Sequence, residues 1–246
     1  MRPKKTVFGF LLIGMPGMED GTFEAQETSL LRSLLQQADV FVDVGANIGY
    51  FTCLARHSGK KTIAIEPLAE NLNVLYANLM INSWNDVEVL PLGLSDKPGV
   101  APLYGGGTGA SLLEGWAGAS EVWKRTIALT TLDNVLGTRF PGKKLLVKID
   151  VEGAEYGLLR GALATIGMQP KPTWLIEICL TENQSGVNPD FRAIFDLFWD
   201  NGYEATNPGA PGRIITREEV DRWIKNRRRD YGYVNYFFTA RKPGRR

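Results

Sequence analysis

Two groups of acids carry the chemistry legible in this sequence. The first is Asp43 and Glu66. Asp43 lies in Val-Phe-Val-Asp-Val (40–44), just ahead of the turn Gly45-Ala46-Asn47-Ile48-Gly49. Glu66 ends Thr-Ile-Ala-Ile-Glu and is followed by Pro67. An acid roughly 20 residues beyond such a glycine turn is placed to accept hydrogen bonds from ribose hydroxyls, each charge-assisted bond contributing about 1.5–3 kcal/mol. The second group is Asp150, Glu152 and Glu155 around Gly153, directly after Leu-Leu-Val-Lys-Ile. A carboxylate there, Asp150 or Glu152, is the obvious base for taking a proton from a hydroxyl. Its ordinary pKa of about 4 is low for that role, and crowding by the other carboxylates would raise it. Lys148 can pair with either acid. Capping of a following helix N-terminus is the alternative role for the same acids.

The glycine turn narrows the ligand. The dinucleotide fingerprint G-x-G-x-x-G needs its middle glycine so that the backbone can approach a pyrophosphate. Asn47 stands in that place, and Asp43 would repel a nearby pyrophosphate. The same acid suits a cationic ligand with hydroxyls and an amine, which describes S-adenosylmethionine. Asp43, Gly45, Gly49 and Glu66 in register therefore favour an adenosine site for S-adenosylmethionine over a dinucleotide. A structural turn without a ligand is the remaining alternative.

These residues need a scaffold, and the pattern around them supplies one. Residues 40–44 read as a buried strand, and Ile48, Phe51, Thr52 and Ala55 follow at helical spacing. Strand, glycine turn, helix is the opening unit of a doubly wound fold. Residues 62–66 form a second strand. An amphipathic helix over 69–82 follows, with Leu72, Leu75, Tyr76, Leu79 and Met80 on one face. Residues 87–92 form a third strand running into Gly93-Leu94-Ser95-Asp96, beside the ligand crevice. Strands follow at 145–150 and 174–179, the latter containing Glu177. A helix over 21–38 precedes the first strand. Asn188-Pro189 opens a helix, and Thr216 with Glu219 forms a capping box for the last one. Residues 234–240 close the chain as an aromatic-rich antiparallel edge strand. The expected fold is α/β: a Rossmann-like, doubly wound, mainly parallel seven-stranded sheet with helices on both faces. Residues 1–39 read as a strand/helix extension and 40–246 as the main domain. Within it, 97–125 is dense in glycine, carries Trp116 and Trp123, and reads as an insertion or lid.

Composition limits the alternatives. The chain of 246 residues is 44% hydrophobic and 22% charged, with a net charge of +1, an ordinary globular balance without global steering toward nucleic acid. The charge is uneven: from Arg213 onward there are eleven Lys and Arg against four Asp and Glu. Such a segment can serve nucleic acid, an anionic substrate or a membrane surface, or be a solvated face. Lys225, Arg227, Arg228 and Arg229 would be the phosphate contacts, with Tyr231, Tyr233 and Tyr236 available for stacking. Cys53 and Cys179 lack metal-ligand spacing and read as reduced core residues of a cytoplasmic protein. His57, the single histidine, closes the first helix and reads as structural. The run from Val7 to Met15 resembles a signal-peptide core but is diluted by Gly9 and Gly14 and has no A-x-A-like site after it. It is read as a leading strand or hairpin, and it is too short to span a bilayer.

Taken together, the stretches 41–52 (Phe-Val-Asp-Val-Gly-Ala-Asn-Ile-Gly-Tyr-Phe-Thr), 63–67 (Ile-Ala-Ile-Glu-Pro), 93–96 (Gly-Leu-Ser-Asp), 130–133 (Thr-Thr-Leu-Asp) and 146–155 (Leu-Val-Lys-Ile-Asp-Val-Glu-Gly-Ala-Glu) resemble the FkbM-type family of class I S-adenosylmethionine-dependent methyltransferases. The last stretch is the most family-specific, and the resemblance covers about residues 40–180. It implies methyl transfer, usually to a hydroxyl oxygen of a small molecule, natural product or sugar. The implied cofactor set is Asp43, Gly45, Ala46, Asn47, Gly49, Glu66, Pro67, Leu94, Ser95 and Asp150. Asp43, Gly45 and Asn47 would line the amino-acid end, Glu66 would hold the ribose, and Leu94 and Ser95 would flank the adenine. Asp150 would face the transferred methyl. No Asn-Pro-Pro-Tyr type of tetrapeptide, the mark of amino-group methylation, stands near Glu177.

Other classes stay open at this level: an RNA methyltransferase or nucleic-acid binder using the basic segment, or a cofactor binder without turnover. Asp150 and Glu177, near the ends of neighbouring strands, could hold Mg²⁺, although a metal-free site is the primary expectation. No membrane span is expected. The strand at 233–238 could pair across a homodimer or be covered within the chain.

Overall fold

The computed structural model describes residues 2–118 and 124–242. The strands of the central sheet are, in chain order, β1 (Val40–Val44), β2 (Lys61–Ile65), β3 (Glu88–Leu90), β4 (Leu145–Ile149), β5 (Thr173–Glu177), β6 (Tyr203–Thr206), β7 (Ile214–Ile215) and β8 (Asn235–Ala240). Their spatial order is β3-β2-β1-β4-β5-β8-β6-β7. The first five run parallel to one another, while β8 is antiparallel to both β5 and β6. The mainly parallel sheet is as expected, with eight strands rather than seven: β6 was not among the strands read from the sequence, and the two-residue β7 extends the margin beside it. Strand order reverses between β1 and β4, where Val44 lies opposite Ile149. The crevice beyond the carboxyl ends at such a switch point is where doubly wound sheets bind ligands.

Period-two alternation in the buried strands sorts side chains onto two faces. Val40, Val42, Val44, Val147, Ile149, Trp174 and Ile176 pack with residues of the helices Glu155–Arg160, Phe191–Asp200 and Arg217–Asn226. Phe41, Ala64, Leu146, Leu175 and Phe237 pack with residues of the helices Ala25–Leu35, Tyr50–His57 and Ala69–Ile81. The Thr216–Glu219 capping box forms as expected.

The closing strand is not at an edge. It is inserted between β5 and β6, with Trp174 opposite Phe238 and Ile176 opposite Tyr236. The reason lies in its composition: Tyr236 and Phe238 feed one core and Phe237 the other. A strand apolar on both faces belongs inside a sheet, so it offers no free edge to a second copy. The same burial removes Tyr236 from any base-stacking surface. Arg229, its side chain 7% exposed, is held by Glu182 at 2.5 Å, and Arg222 by Asp230 at 2.5 Å. Arg213 and Arg217 are likewise paired, with Glu219 and with Asp196 and Asp200. Of the four expected phosphate contacts Arg229 is thus engaged within the chain, which with the burial of Tyr236 disfavours the nucleic-acid reading.

The glycine-rich segment is more ordered than its composition implies. Gly99–Tyr104 and Lys124–Thr130 form an antiparallel pair joined by Gly93–Leu94 into a small three-stranded sheet. Gly99–Tyr104 is largely exposed and contains Pro102, so it lacked the apolar run that marks a strand. Trp123 lies outside the described residues. At the N-terminus, Lys4–Lys5 and Leu11–Leu12 form the expected hairpin. Asn78 and Asn82 on the helix Ala69–Ile81 and its C-cap bond the Leu11 and Ile13 backbone as a strand would. Phe10, Leu12, Met18, Leu31 and Leu35 share one core with Phe41 and Phe51. Among the described residues, no helix is long and apolar enough to cross a membrane.

Candidate active site

The site is built where β1 ends. Gly45 N and Ala46 N both donate to the Ile65 carbonyl, at 2.9 and 3.1 Å, and Asp150 N donates to the Val44 carbonyl at 3.0 Å. These bonds draw the ends of β2 and β4 tightly against the turn. Gly45 has φ +78°, and a Cβ there would lie 1.8 Å from the Asp150 carbonyl oxygen. Only glycine fits. Asn47 is also left-handed, at φ +52°, a conformation asparagine tolerates through local hydrogen bonding; its Oδ1 accepts from Ile48 N at 2.7 Å. Asn47 N donates to Glu66 Oε2 at 2.8 Å, joining the turn to the end of β2.

Glu66 is 5% exposed. Its Oε1 also accepts from Leu68 N at 2.8 Å and Asn71 Nδ2 at 3.3 Å. Burial raises its pKa, and these bonds oppose the rise. A cavity of about 420 Å³ opens here. Gly45, Ala46, Asn47, Glu66, Pro67 and Leu94 line it from the β1 and β2 side, and Lys148, Asp150, Glu152 and Glu177 from the β4 and β5 side. Met15, Met18, Phe23 and Glu24 of the N-terminal segment and Leu103 and Leu112 near the small sheet add to the lining.

Three residues expected at the cofactor do not line this cavity. Asp43 does not point into the crevice. It is 1% exposed, and its Oδ2 accepts from Thr52 Oγ1 at 2.6 Å while Oδ1 is unpaired. Its position inside β1, one residue short of the end, turns the carboxyl toward the helix Tyr50–His57; burial raises its pKa. Gly49 is the N-cap of that helix, at φ +86° and against Leu75. Ser95 N bonds to the Thr130 carbonyl at 2.9 Å, and its own carbonyl packs on Gly161. All three support the site from behind.

The second acidic group divides by role. Lys148, with a side chain 4% exposed, sits 2.9 Å from Asp150 Oδ2 and 4.8 Å from the Phe51 ring centroid. Burial opposes its charge, but Asp150, Glu24 and Asp43 outweigh that and hold the ammonium above its ordinary range. Glu152 is left-handed at φ +53°. Its Oε2 accepts from Trp116 Nε1 at 2.7 Å, and its carbonyl from Ser111 Oγ at 2.5 Å. Gly153 makes this possible, because a Cβ there would lie 2.6 Å from the Trp116 ring. The insertion thus anchors Glu152 through the buried Trp116 indole. Glu177 has its pKa pushed up to about 8 by burial first and then by the Asp150 charge. Among the described residues, no three His, Cys, Asp or Glu side chains are grouped to hold a metal ion.

Glu155 is structural. It is buried, its Oε1 accepts from Gly153 N at 2.8 Å, and burial pushes its pKa up to about 7 from 4.5. A raised folded pKa favours the protonated carboxyl in the folded state. Its stabilising effect is fully present below about pH 4.5 and is lost as pH rises through about 7. Glu155→Gln keeps an acceptor for Gly153 N without the charge. Urea unfolding at pH 5 and pH 8 is expected to show a smaller loss of stability in the variant, by roughly 3 kcal/mol at most. An unchanged slope would mean that Glu155 does not titrate in this interval.

Sequence reasoning missed Glu24. The helix expected over 21–38 begins at Ala25, and residues 21–24 form a turn that delivers Glu24 to the cavity. Gly21, at φ +81°, was the available signal.

A parallel doubly wound sheet with a switch-point cavity, a glycine turn after β1 and an acid after β2 defines the Rossmann-like class I methyltransferase fold. The family model described as the methyltransferase FkbM domain matches residues 43–205, and the chain belongs to that family. The chain is 28% identical over 207 residues to methyltransferase sdnD of Sordaria araneosa, covering 69% of this chain and 75% of that protein. Solved structures similar to it include a putative O-methyltransferase from Klebsiella pneumoniae, at TM-score 0.49 and 16% identity, covering 93% of this chain and 84% of that one. Another is an S-adenosylmethionine-dependent O-methyltransferase from Thermotoga maritima, at TM-score 0.47 and 11% identity, covering 100% and 79%. The protein is a methyltransferase, and its family implies S-adenosylmethionine as donor.

Proposed function

We propose that this protein transfers a methyl group from S-adenosylmethionine to a hydroxyl oxygen of a small molecule, natural product or sugar. The observation that supports the reading best is a cavity with two chemically different sides. The β1 and β2 side offers a close-approach backbone turn and a buried acceptor, Glu66; the β4 and β5 side offers carboxylates. When bound, the donor supplies an electrophilic methyl group on a good leaving sulfide.

Gly45, Ala46 and Asn47 would hold the donor's amino-acid end, and Glu66 its ribose. Glu66 takes three N–H bonds, and a carboxylate offers about four acceptor sites, so capacity remains for a hydroxyl. Pro67 and Leu94 would flank the adenine. Asp43, Gly49 and Ser95 would act through the turn and loop they brace. Asp150 and Glu152 would orient the acceptor hydroxyl for in-line attack. Both are fixed in place, Asp150 by Lys148 and Glu152 by Trp116. Oxygen rather than amine methylation fits the Ile-Glu-Ile-Cys sequence at the end of β5. The buried free thiols of Cys53 and Cys179 suit a reducing cytoplasm.

Calorimetric titration with S-adenosylmethionine, S-adenosylhomocysteine and NAD tests the reading. Micromolar binding of the first two and none of NAD is expected, with affinity about 10–100-fold weaker in Glu66→Ala. Binding of NAD alone would overturn the proposal.

A further inference from the structure

Glu24 precedes the residues matched by the family, 43–205, and the construction of the fold does not use its side chain. Its backbone is left-handed, at φ +41°, which is uncommon outside glycine. Neighbouring bonds hold it there. Thr28 N donates to the Glu24 carbonyl at 2.8 Å, Phe23 N to the Gly17 carbonyl at 2.8 Å, and Thr28 Oγ1 to the Phe23 carbonyl at 3.2 Å. The Phe23 ring packs edge-on to Tyr50 at 5.4 Å. Backbone strain over-determined in this way concentrates at functional sites.

The Glu24 side chain gives the helix Ala25–Leu35 no capping bond. It lines the cavity with Lys148, Asp150 and Glu177, and among the described residues it has no hydrogen bond or ion pair. The other carboxylates at the cavity are engaged. Asp150 holds Lys148, Glu152 holds the Trp116 indole, and Glu177 accepts from the Cys179 thiol at 3.9 Å.

We infer that Glu24 is a catalytic residue of methyl transfer, brought to the reacting end of the cavity by the N-terminal segment to take up the acceptor's proton. The inference rests on the methyltransferase reading proposed above. As the acceptor oxygen bonds to the methyl carbon, the methyl–sulfur bond breaks and leaves its electron pair on sulfur. The hydroxyl proton passes to a Glu24 carboxylate oxygen and then to solvent. The charged and titratable groups that act on Glu24 are Lys148 on β4, Asp150 directly after it, Glu177 on β5, the buried Asp43 on β1, Tyr50 on its helix and Glu27 on the helix that Glu24 precedes. Burial pushes its pKa up to about 7; Lys148 opposes this, and Asp150, Glu27 and Asp43 add to it. A base in that range both accepts and releases a proton near neutral pH.

The test uses the two forms of the donor, which differ at the reacting sulfur by one positive charge. Protein carrying ¹³C at glutamate side-chain carboxyls is titrated by NMR, with Glu24 assigned by difference from Glu24→Gln. Glu24→Gly, compatible with the positive φ, replaces that variant if it does not fold. A carboxylate facing the sulfur is expected to titrate about one pH unit lower with S-adenosylmethionine than with S-adenosylhomocysteine. Calorimetry with S-adenosylhomocysteine is expected to give affinities within twofold for the wild type and the variant. Equal midpoints with the two ligands would overturn the inference. A tenfold affinity loss for both ligands in the variant would also overturn it, by placing Glu24 on the donor's amine. Absence of binding of either ligand to the wild type would remove the underlying reading, and this inference with it.

Discussion

Gly45→Ala is expected to melt about 10 °C below the wild-type protein and to lose S-adenosylmethionine binding. The added Cβ meets the Asp150 carbonyl oxygen at 1.8 Å, a backbone atom that no rotamer change can move aside. Relief requires the end of β4 to separate from the β1 turn, against the bonds that Val44, Ile65 and Asp150 make across it. Left-handed backbone costs an alanine roughly 1–2 kcal/mol, and overpacking typically adds about 1–3 kcal/mol. At about 2–4 °C per kcal/mol for a chain of this size, the sum gives the shift stated. Gly59→Ala is the control. Its φ is +75° and nothing lies within 4 Å of its Cβ, so only the conformational cost applies and Tm should fall by a few degrees, about 2–4 °C per kcal/mol. Thermal melts and a donor titration on both variants decide the matter. Similar melting points would show that the close approach does not constrain the turn.

The same turn shows what a sequence discloses and what it withholds. Gly45, Asn47 and Glu66 were legible because local geometry demands their residue types: positive φ at two of them, and an acceptor at the end of β2. Asp43 was misread because its position one residue before the strand end gives no sign of which way the carboxyl turns; Thr52, nine residues on, decides it. The closing strand was read as an edge because antiparallel pairing was inferred without its partner β6, whose Tyr203–Thr206 sequence is short and half-exposed. Glu24 was hidden by helix propensity on both sides of a turn. The apolar residues of the N-terminal segment were visible, but their destination was not. Asn78 and Asn82, which dock that segment, act over a separation that no local pattern encodes.

Asp150 and Lys148 are the second place where a single change has a large effect, and here charge rather than volume decides. Lys148 is almost wholly buried and has Asp150 as its one ion-pair partner within 4 Å among the described residues. Removing one member of such a pair strands the other and typically costs about 3–5 kcal/mol. Asp150→Ala is therefore expected to lose roughly 3 kcal/mol in urea unfolding, somewhat less than the full penalty because Glu24 and Asp43 also face the ammonium. Replacing both members should behave differently. Lys148→Met with Asp150→Asn removes both members of the pair, and such substitutions are often neutral or stabilising; Glu24 and Asp43, which also feel the Lys148 charge, then shift toward their protonated forms. A double-mutant cycle over the two positions should give a coupling of about 1–3 kcal/mol. The double variant separates structure from chemistry: it should fold and bind S-adenosylhomocysteine through Gly45, Asn47 and Glu66, yet no longer position an acceptor hydroxyl at Asp150. Coupling near zero would mean that Lys148 finds its counter-charge in Glu24 or Glu177, and that Asp150 is free to serve the acceptor alone.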